Sequence, residues 1–255
     1  MKSLTTLLLL FTAFSLSAQV HYGKITYVRT TEVRLQNHTD ERTAEDKQVQ
    51  AMVEKMMASG AFNKTYVASF GPGAFNCVEQ AKDAAEMTQE MPGGAQITVM
   101  TGEEDPAHFY TDTKEGTVLN TDYIFDKGFL VSGETDELDW QLTQEKVPPS
   151  DMTAGLDLLI ATAVTSNGDT LTAGYAPSLP VQVGPLNFHG LPGAIITLEI
   201  PNKGESIVYR ATNIEVSPEP LEISQPTEGK PISREKFRSQ QKKKIASQKR
   251  MMMRG

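Results

Sequence analysis

Turn signals punctuate this chain at short, regular intervals, and they leave little choice of architecture. They fall at Lys114-Glu115-Gly116, Asp126-Lys127-Gly128, Asn167-Gly168-Asp169 and Asn202-Lys203-Gly204, with short β-rich runs between them. A spacing of roughly ten residues is what successive hairpins produce. The runs predict strands near 107–112, 117–125, 129–132, 138–145, 156–166, 170–176, 194–200 and 206–214. Upstream, His21 to Val33 alternates as a first strand, with Ile25, Tyr27 and Val33 on or near one face. Phe62 to Phe70 reads as another strand, broken by Gly71-Pro72-Gly73. Sequential hairpins with few long crossovers favour one large antiparallel sheet. A sheet of eight or more strands tends to curl. The expected fold is therefore mainly β, with minor α: a large curved antiparallel meander sheet or incomplete barrel.

Two helices are expected beside the strands. Thr39-Asp40 caps an N-terminal amphipathic helix from Asp40 to Ser59, in which Val49, Met52, Val53, Met56 and Met57 fall at helical spacing and Gly60 stops it. This helix is expected to pack on the concave face of the sheet. The stretch from Ala74 to Gly94 is polar and low in β-branched residues, so it reads as a second helix (Ala81 to Met91) or a mobile loop, ended by Pro92-Gly93-Gly94. Pro218, Pro220, Pro226 and Pro231 mark an extended linker over 217–232. Ser233 then caps a basic C-terminal helix or tail over 233–255.

One segment, Gly184 to Ile200 (GPLNFHGLPGAIITLEI), combines a rigid turn with an apolar strand. Pro192 fixes its own φ and pushes Leu191 toward extended geometry. Gly190 and Gly193 take positive φ without penalty, so Pro192-Gly193 suits the centre of a type II turn. Ala194 to Ile200 then reads as a strand buried on at least one face. The segment holds no nucleophile, no carboxylate pair and no ligand cluster.

The hexapeptide Gly190–Ile195, GLPGAI, resembles the signature of the GLPGLI family, exported proteins of Bacteroidetes-type bacteria. The likeness extends upstream through Gly168-Asp169-Thr170, Tyr175, Pro177, Leu179-Pro180 and Gly184-Pro185, and further to Leu138-Asp139-Trp140-Gln141-Leu142 and the strand pair Ile124-Phe125 and Phe129-Leu130-Val131. Downstream, Ile232 to Phe237 and the basic tail resemble the family's usual ending, and Lys24-Ile25-Thr26-Tyr27 is a fainter echo. Gly174 stands where the family usually has an aromatic residue, and Ala194 replaces a leucine. The family's frequent cysteine near position 160 is absent, so no role for that thiol carries over. The resemblance covers roughly Pro106 to Lys244 and implies an exported protein; a single β-rich domain of this type is expected over 19–216. It lends no settled biochemical activity.

The N-terminus agrees with export. Met1-Lys2-Ser3 supplies one positive charge, and Leu4 to Leu16 is apolar but too short to span a bilayer. Ser15-Leu16-Ser17-Ala18 offers small residues for cleavage after Ala18, so 1–18 is expected to be a signal peptide and Gln19 the new N-terminus. An uncleaved anchor would need flanking stop-transfer charge, and a lipoprotein anchor a cysteine at the cleavage point. No later segment is long and apolar enough to cross a membrane, so no transmembrane segment is expected in the mature chain. The expected destination is the periplasm, the outer-membrane surface or the medium.

Charge is unevenly placed. From Lys230 onward there are ten basic residues and one acid, about +9; removing these and Lys2 from the 24 basic and 32 acidic residues of the chain leaves the body at about −18. An acidic body argues against nucleic acid as its ligand. The tail, with Lys242-Lys243-Lys244, Lys249-Arg250, Met251-Met252-Met253 and Arg254, suits an anionic membrane surface or an acidic envelope partner, or else is a frayed terminus.

Catalytic motifs are missing: no G-x-S-x-G elbow, P-loop, dinucleotide fingerprint or H-E-x-x-H occurs in the sequence. Cys77 is the single cysteine, so no disulfide forms within the chain, and Phe75-Asn76-Cys77-Val78 reads as a small buried hydrophobe. Three weaker patterns remain. Glu103-Glu104-Asp105 with His108 is either a divalent-cation site or a solvated loop. His189 beside Gly190 is either a proton switch held over a pocket or a loop histidine. Met52/Met56 and Met87/Met91 are spaced to share a helix face, which suits either Cu(I) or core packing.

The leading expectation is a non-enzymatic exported cell-envelope protein that binds a ligand or partner on its curved scaffold, with no cofactor. Its candidate binding residues are Trp140, Tyr175, His189, Gly190, Leu191, Pro192 and Gly193; strands near Tyr110 and Tyr123 would complete the concave face. The alternative is periplasmic copper handling through Met52, Met56, His108 and His189. A hydrolase would need Glu103, Asp105 and His189 to converge.

Overall fold

The structure, a computed structural model, describes residues 22–33, 60, 63–81, 85–90, 96–101, 106–202 and 205–252. Its first three strands are β1 (Tyr22–Val33), β2 (Lys64–Gly71) and β3 (Ala74–Glu79). They form because their apolar residues recur every second position, the period of a pleated strand. Tyr66, Ala68 and Phe70 on β2 are buried, as are Phe75 and Cys77 on β3 and Ile25 and Tyr27 on β1. Next come β4 (Ala85–Glu90), β5 (Gln96–Thr101), β6 (His108–Asp112), β7 (Thr117–Ile124) and β8 (Lys127–Glu134). The second half supplies β9 (Gln141–Val147), a 3-10 turn at Asp151–Thr153, β10 (Leu158–Val164), β11 (Thr170–Ala176), β12 (Ala194–Asn202), β13 (Glu205–Ser217) and β14 (Lys230–Ser233). A single helix among the described residues, α1 (Arg234–Met252), follows β14 directly. That helix is not long and apolar enough to cross a membrane.

The chain is mainly β, as expected, but it is not one simple meander. Twelve strands form a mixed sheet in the order β14-β8-β7-β6-β3-β2-β1-β13-β12-β11-β10-β9. Two meanders lie side by side. One runs outward from β1 to β8, and the other runs from the far edge, β9, inward to β13. They are sewn together where β1 pairs antiparallel with β13, from Tyr22 opposite Ser217 to Val33 opposite Glu205. Three expectations are corrected. The sheet is mixed, because β14 pairs parallel with β8. Part of the stretch expected as a helix or loop, Ala74 to Gly94, is strand: β3 lies inside the large sheet between β2 and β6, and β4 pairs, among the described residues, with β5 in a separate two-stranded sheet. Part of the expected linker over 217–232 is ordered strand, at Ser217 and again at Lys230–Ser233. The expected helix from Asp40 to Ser59 lies outside the described residues.

The sheet is not closed into a barrel, yet connectivity forces it to bend. β8 and β9 stand ten strand positions apart. On a flat sheet that is about 48 Å at about 4.8 Å per strand. Residues 135–140 alone join Glu134 to Gln141. Seven Cα steps reach about 25 Å at most. The two ends of the sheet must therefore approach each other, which gives it an inner and an outer face.

The main core lies on the inner face. Ile25, Tyr27, Phe70, Phe75, Leu158, Ile195, Ile196 and Leu198 are buried there beside small residues Ala68, Ala161, Ala173 and Ala211. A second cluster near the β8 edge packs Ile124, Phe129 and Val131 against Phe237 of α1. On the outer face the chain between β13 and β14 runs as a belt. Asn76, pinned by its Oδ1 to the Ser69 amide, donates through Nδ2 to the carbonyl (3.1 Å) and hydroxyl (3.0 Å) oxygens of Ser224. His108 Nε2 donates to the same Ser224 carbonyl at 3.0 Å. The belt then reaches the β8 edge, where it becomes β14 and explains that strand's parallel direction.

Candidate functional site

The segment singled out by its turn residues, between β11 and β12, folds onto the inner face rather than into solvent. Leu179, Val183 and Leu191 are buried in the main core. Backbone bonds lace the segment to β12: the Ala194 amide donates to the Leu179 carbonyl and the Ile195 amide to the Val183 carbonyl, both at 2.9 Å. Tyr27 Oη donates to the Ile195 carbonyl at 2.7 Å, which satisfies a fully buried phenol. Burial pushes the Tyr27 pKa well above its ordinary value.

The expected type II turn at Pro192-Gly193 is replaced by a tighter one. The Gly193 amide donates to the Leu191 carbonyl at 2.8 Å, a three-residue turn centred on Pro192 whose fixed φ suits it. Gly193 is not among the positive-φ glycines; Gly190 is, at φ 98°. A Cβ on Gly193 would overlap the Ala176 carbonyl oxygen, so this glycine serves close approach of two chains. Gly190 serves backbone conformation, since a Cβ there would meet only Trp140 at an ordinary 3.6 Å.

Polar contacts tie the segment to both meanders. Asn187 Nδ2 donates to Thr111 Oγ1 (2.9 Å), Asn120 Oδ1 (3.1 Å) and the Tyr110 carbonyl (3.2 Å), while Asn120 Nδ2 donates back to Asn187 Oδ1 at 2.8 Å. Trp140 Nε1 donates to the His189 carbonyl at 3.0 Å. Gln182 accepts from the Gly190 amide (2.9 Å) and donates to the Leu191 carbonyl (3.0 Å). The His189 ring donates through Nδ1 to the Asn187 carbonyl at 2.9 Å and lies 6.0 Å, centroid to centroid, from Phe75. That bond makes Nδ1 the protonated nitrogen and leaves Nε2 as the acceptor in neutral imidazole. Among the described residues, no buried side-chain nitrogen or oxygen lacks a partner.

Of the residues expected to form a site, Trp140, His189, Gly190 and Leu191 come together. Pro192 is exposed at the rim, Gly193 and Tyr175 are buried, and Tyr175 belongs to the core. Among the described candidates, His108 does not join them. His108 sits on the outer face: it pairs with Val78, whose neighbour Cys77 faces the core. The belt half-buries His108 and lowers its pKa by desolvation. His108 and His189 therefore lie on opposite faces of the sheet and cannot share an ion. Met52, Met56, Glu103 and Asp105 lie outside the described residues. Among the described residues, no three His, Cys, Asp or Glu side chains cluster as a metal site.

Cys77 is fully buried, and desolvation pushes its pKa up to about 12 against a smaller opposing effect of the Leu186 backbone. A thiol held neutral is a poor nucleophile. Leu186 itself has φ 56°, a left-handed conformation uncommon for a leucine. An open groove of about 480 Å³ lies elsewhere, lined by Asp151, Ala154, Gly155, Thr212, Asn213 and Ile214, with none of the expected site residues.

Sequence reasoning missed Asn187, Gln182, Asn120 and Thr111. The available signal was an asparagine between Leu186 and Phe188 and a glutamine between Val181 and Val183, each a polar residue inside an apolar run.

No family model and no curated protein matches the chain. Its fold is similar to that of the crystal structure of PNGF-II in space group P21, with a TM-score of 0.50 and 12% sequence identity over 88% of this chain and 34% of that one. The chain thus spans about a third of the length of PNGF-II. At that identity the likeness concerns the fold alone.

Proposed function

We propose that this chain is an exported, non-enzymatic cell-envelope protein of GLPGLI type that presents a rigid surface to a partner. The observation that carries this reading is the filled inner face. Residues 177–193 occupy the concavity with their own apolar side chains and close their own hydrogen bonds, which disfavours the small-ligand version of the expectation. Recognition then falls to the rim, where His189, Gly190, Pro192, Gln182 and Trp140 stand together. Trp140 and Pro192 are suited to a binding surface because they are stiff and lose little entropy when ordered. The basic tail supplies the second contact, with an envelope protein or an anionic surface. The apparent signal peptide supports a periplasmic or outer-membrane location. The absence of a catalytic motif in the sequence, and the depth of Cys77, support a role without catalysis.

A photo-cross-linking residue at Pro192 tests the reading in cells, with one at exposed Val164 as control. We expect a discrete adduct from position 192 that is lost with Trp140→Ala. Equal labelling from both positions would sink the proposal. A small molecule of defined mass retained by the native protein in mass spectrometry would restore the ligand version instead.

A further inference from the structure

We infer that α1 is an electrostatic arm that docks the protein on an anionic phospholipid surface. This deepens the reading of the basic tail as a contact and rests on the export which that reading assumes. The arm has one apolar anchor. Phe237, 3% exposed, sits in the cluster of Ile124, Phe129 and Val131, with its ring edge-on to Phe129 at 5.6 Å. Two charged contacts fix its direction: Arg234 and Arg238 both reach Asp136, at 3.0 and 3.4 Å. Beyond that first turn the helix leaves the sheet. From Arg238 to Ser247 every side chain is exposed except Gln241, which is half-buried.

Such a helix needs a partner of particular chemistry. Isolated helices of this length are marginal in water, and α1 gains no packing from its exposed stretch. A protein groove would read apolar anchors at i, i+3, i+4 and i+7. Between Arg238 and Ser247 only Ile245 is a large apolar residue, and it is 57% exposed. What the stretch offers is cations on several sides: Arg238, Lys242, Lys243 and Lys244, with Lys249 and Arg250 following in the sequence. A fluid anionic surface accepts cations in any such arrangement, because headgroups move to meet them. The body carries about −18 and would be repelled by the same surface. Geometry resolves that conflict. The helix beyond Arg238 extends about 21 Å at 1.5 Å per residue. Screening at physiological salt acts over about 8 Å, so the arm's end is electrically separate from the acidic body.

The test is vesicle flotation of the chain beginning at Gln19, the form that the export reading predicts. Vesicles of phosphatidylcholine alone are compared with vesicles that also contain phosphatidylglycerol. We expect binding only to the second kind, abolished at high salt. At about 1 kcal/mol per cation, the triple variant K242Q/K243Q/K244Q should bind about 100-fold more weakly. All three side chains are exposed, so the variant should keep the parent's unfolding midpoint. Equal binding to both vesicles, or binding unchanged in the triple variant, overturns the inference. So does salt-reversible self-association without lipid that the variant abolishes, or tighter binding to duplex DNA than to vesicles at the same salt. Cross-linking at Pro192 is read independently, so the arm can fail while the rim reading stands.

Discussion

Residues 177–193 and helix α1 are both excursions from the same sheet, and they are stabilised in opposite ways. The first turns inward. It buries Leu179, Val183 and Leu191, closes its polar groups on Asn120, Thr111 and Trp140, and makes two backbone bonds to β12. The second turns outward and, among its described side chains, buries Phe237 alone. Both segments are flanked by prolines or charges that look like loop material in the sequence. The difference lies in what each leaves for others. An excursion that satisfies itself is architecture and exposes only its rim. One that satisfies almost nothing keeps its cations available.

The contrast can be broken by mutation, beginning with the deepest contact. Leu191→Ala should cost about 2–5 kcal/mol in urea unfolding, the range for emptying a packed leucine site. A cost below about 1 kcal/mol would mean that the segment is a lid rather than core. Alkaline pH probes the same core. The Cys77 thiol ionises near pH 8.5 when unfolded but is held up to about 12 when folded. The folded state thus binds the proton more tightly, and the associated stability is intact below about pH 8.5 and lost as pH rises toward 12. The slope should approach about 1.4 kcal/mol per pH unit from the thiol alone. It should steepen where Tyr209, also raised to about 12 by burial, begins to ionise in the unfolded chain. Urea midpoints across pH should show this decline, with a flatter first part in Cys77→Ala.

Asn187→Ala tests the polar seam. It strands Thr111 and Asn120, and about 1–3 kcal/mol is expected. A double-mutant cycle with Asn120→Ala should show strong coupling; additive costs would mean that the two amides act separately. Gly190→Ala sharpens the local picture, because φ 98° disfavours any Cβ, and about 1–3 kcal/mol is expected from calorimetry. At the other extreme, Ile245→Ala on the arm should stay within about 0.5 kcal/mol. A larger loss would show that α1 packs on something after all.

Much of this architecture could be read from the chain, for identifiable reasons. Strands β6, β7, β8 and β10 to β13 fall near the expected ranges because hairpins are local and turn residues mark them. The seam between β1 and β13 was not legible, since nothing local says which outer strands will meet. β4 is misread because Thr88 is its single β-branched residue and its pairing partner among the described residues, β5, stands apart from the large sheet. β14 was lost in a proline-rich stretch, where parallel pairing to β8 leaves no trace in residue pattern. At the candidate site, the sequence drew attention to the correct segment and to the positive φ of Gly190, but assigned Gly193 the same use. A glycine that admits positive φ and one that admits a neighbouring backbone look identical in sequence. The sealing asparagines were missed because a buried amide is recognised by its partners, and those lie far away in the chain.

The seam has a consequence for biogenesis. β1 is synthesised before every other strand of the sheet, yet its second neighbour, β13, follows only after β2 to β12. Throughout that interval one flank of β1 offers unpaired amides and carbonyls to whatever strand drifts by. Non-local pairing of this kind forms slowly. The newborn protein should therefore gain from a holding chaperone until β13 is made, and its yield should respond to the speed of synthesis more than to the strength of the finished sheet.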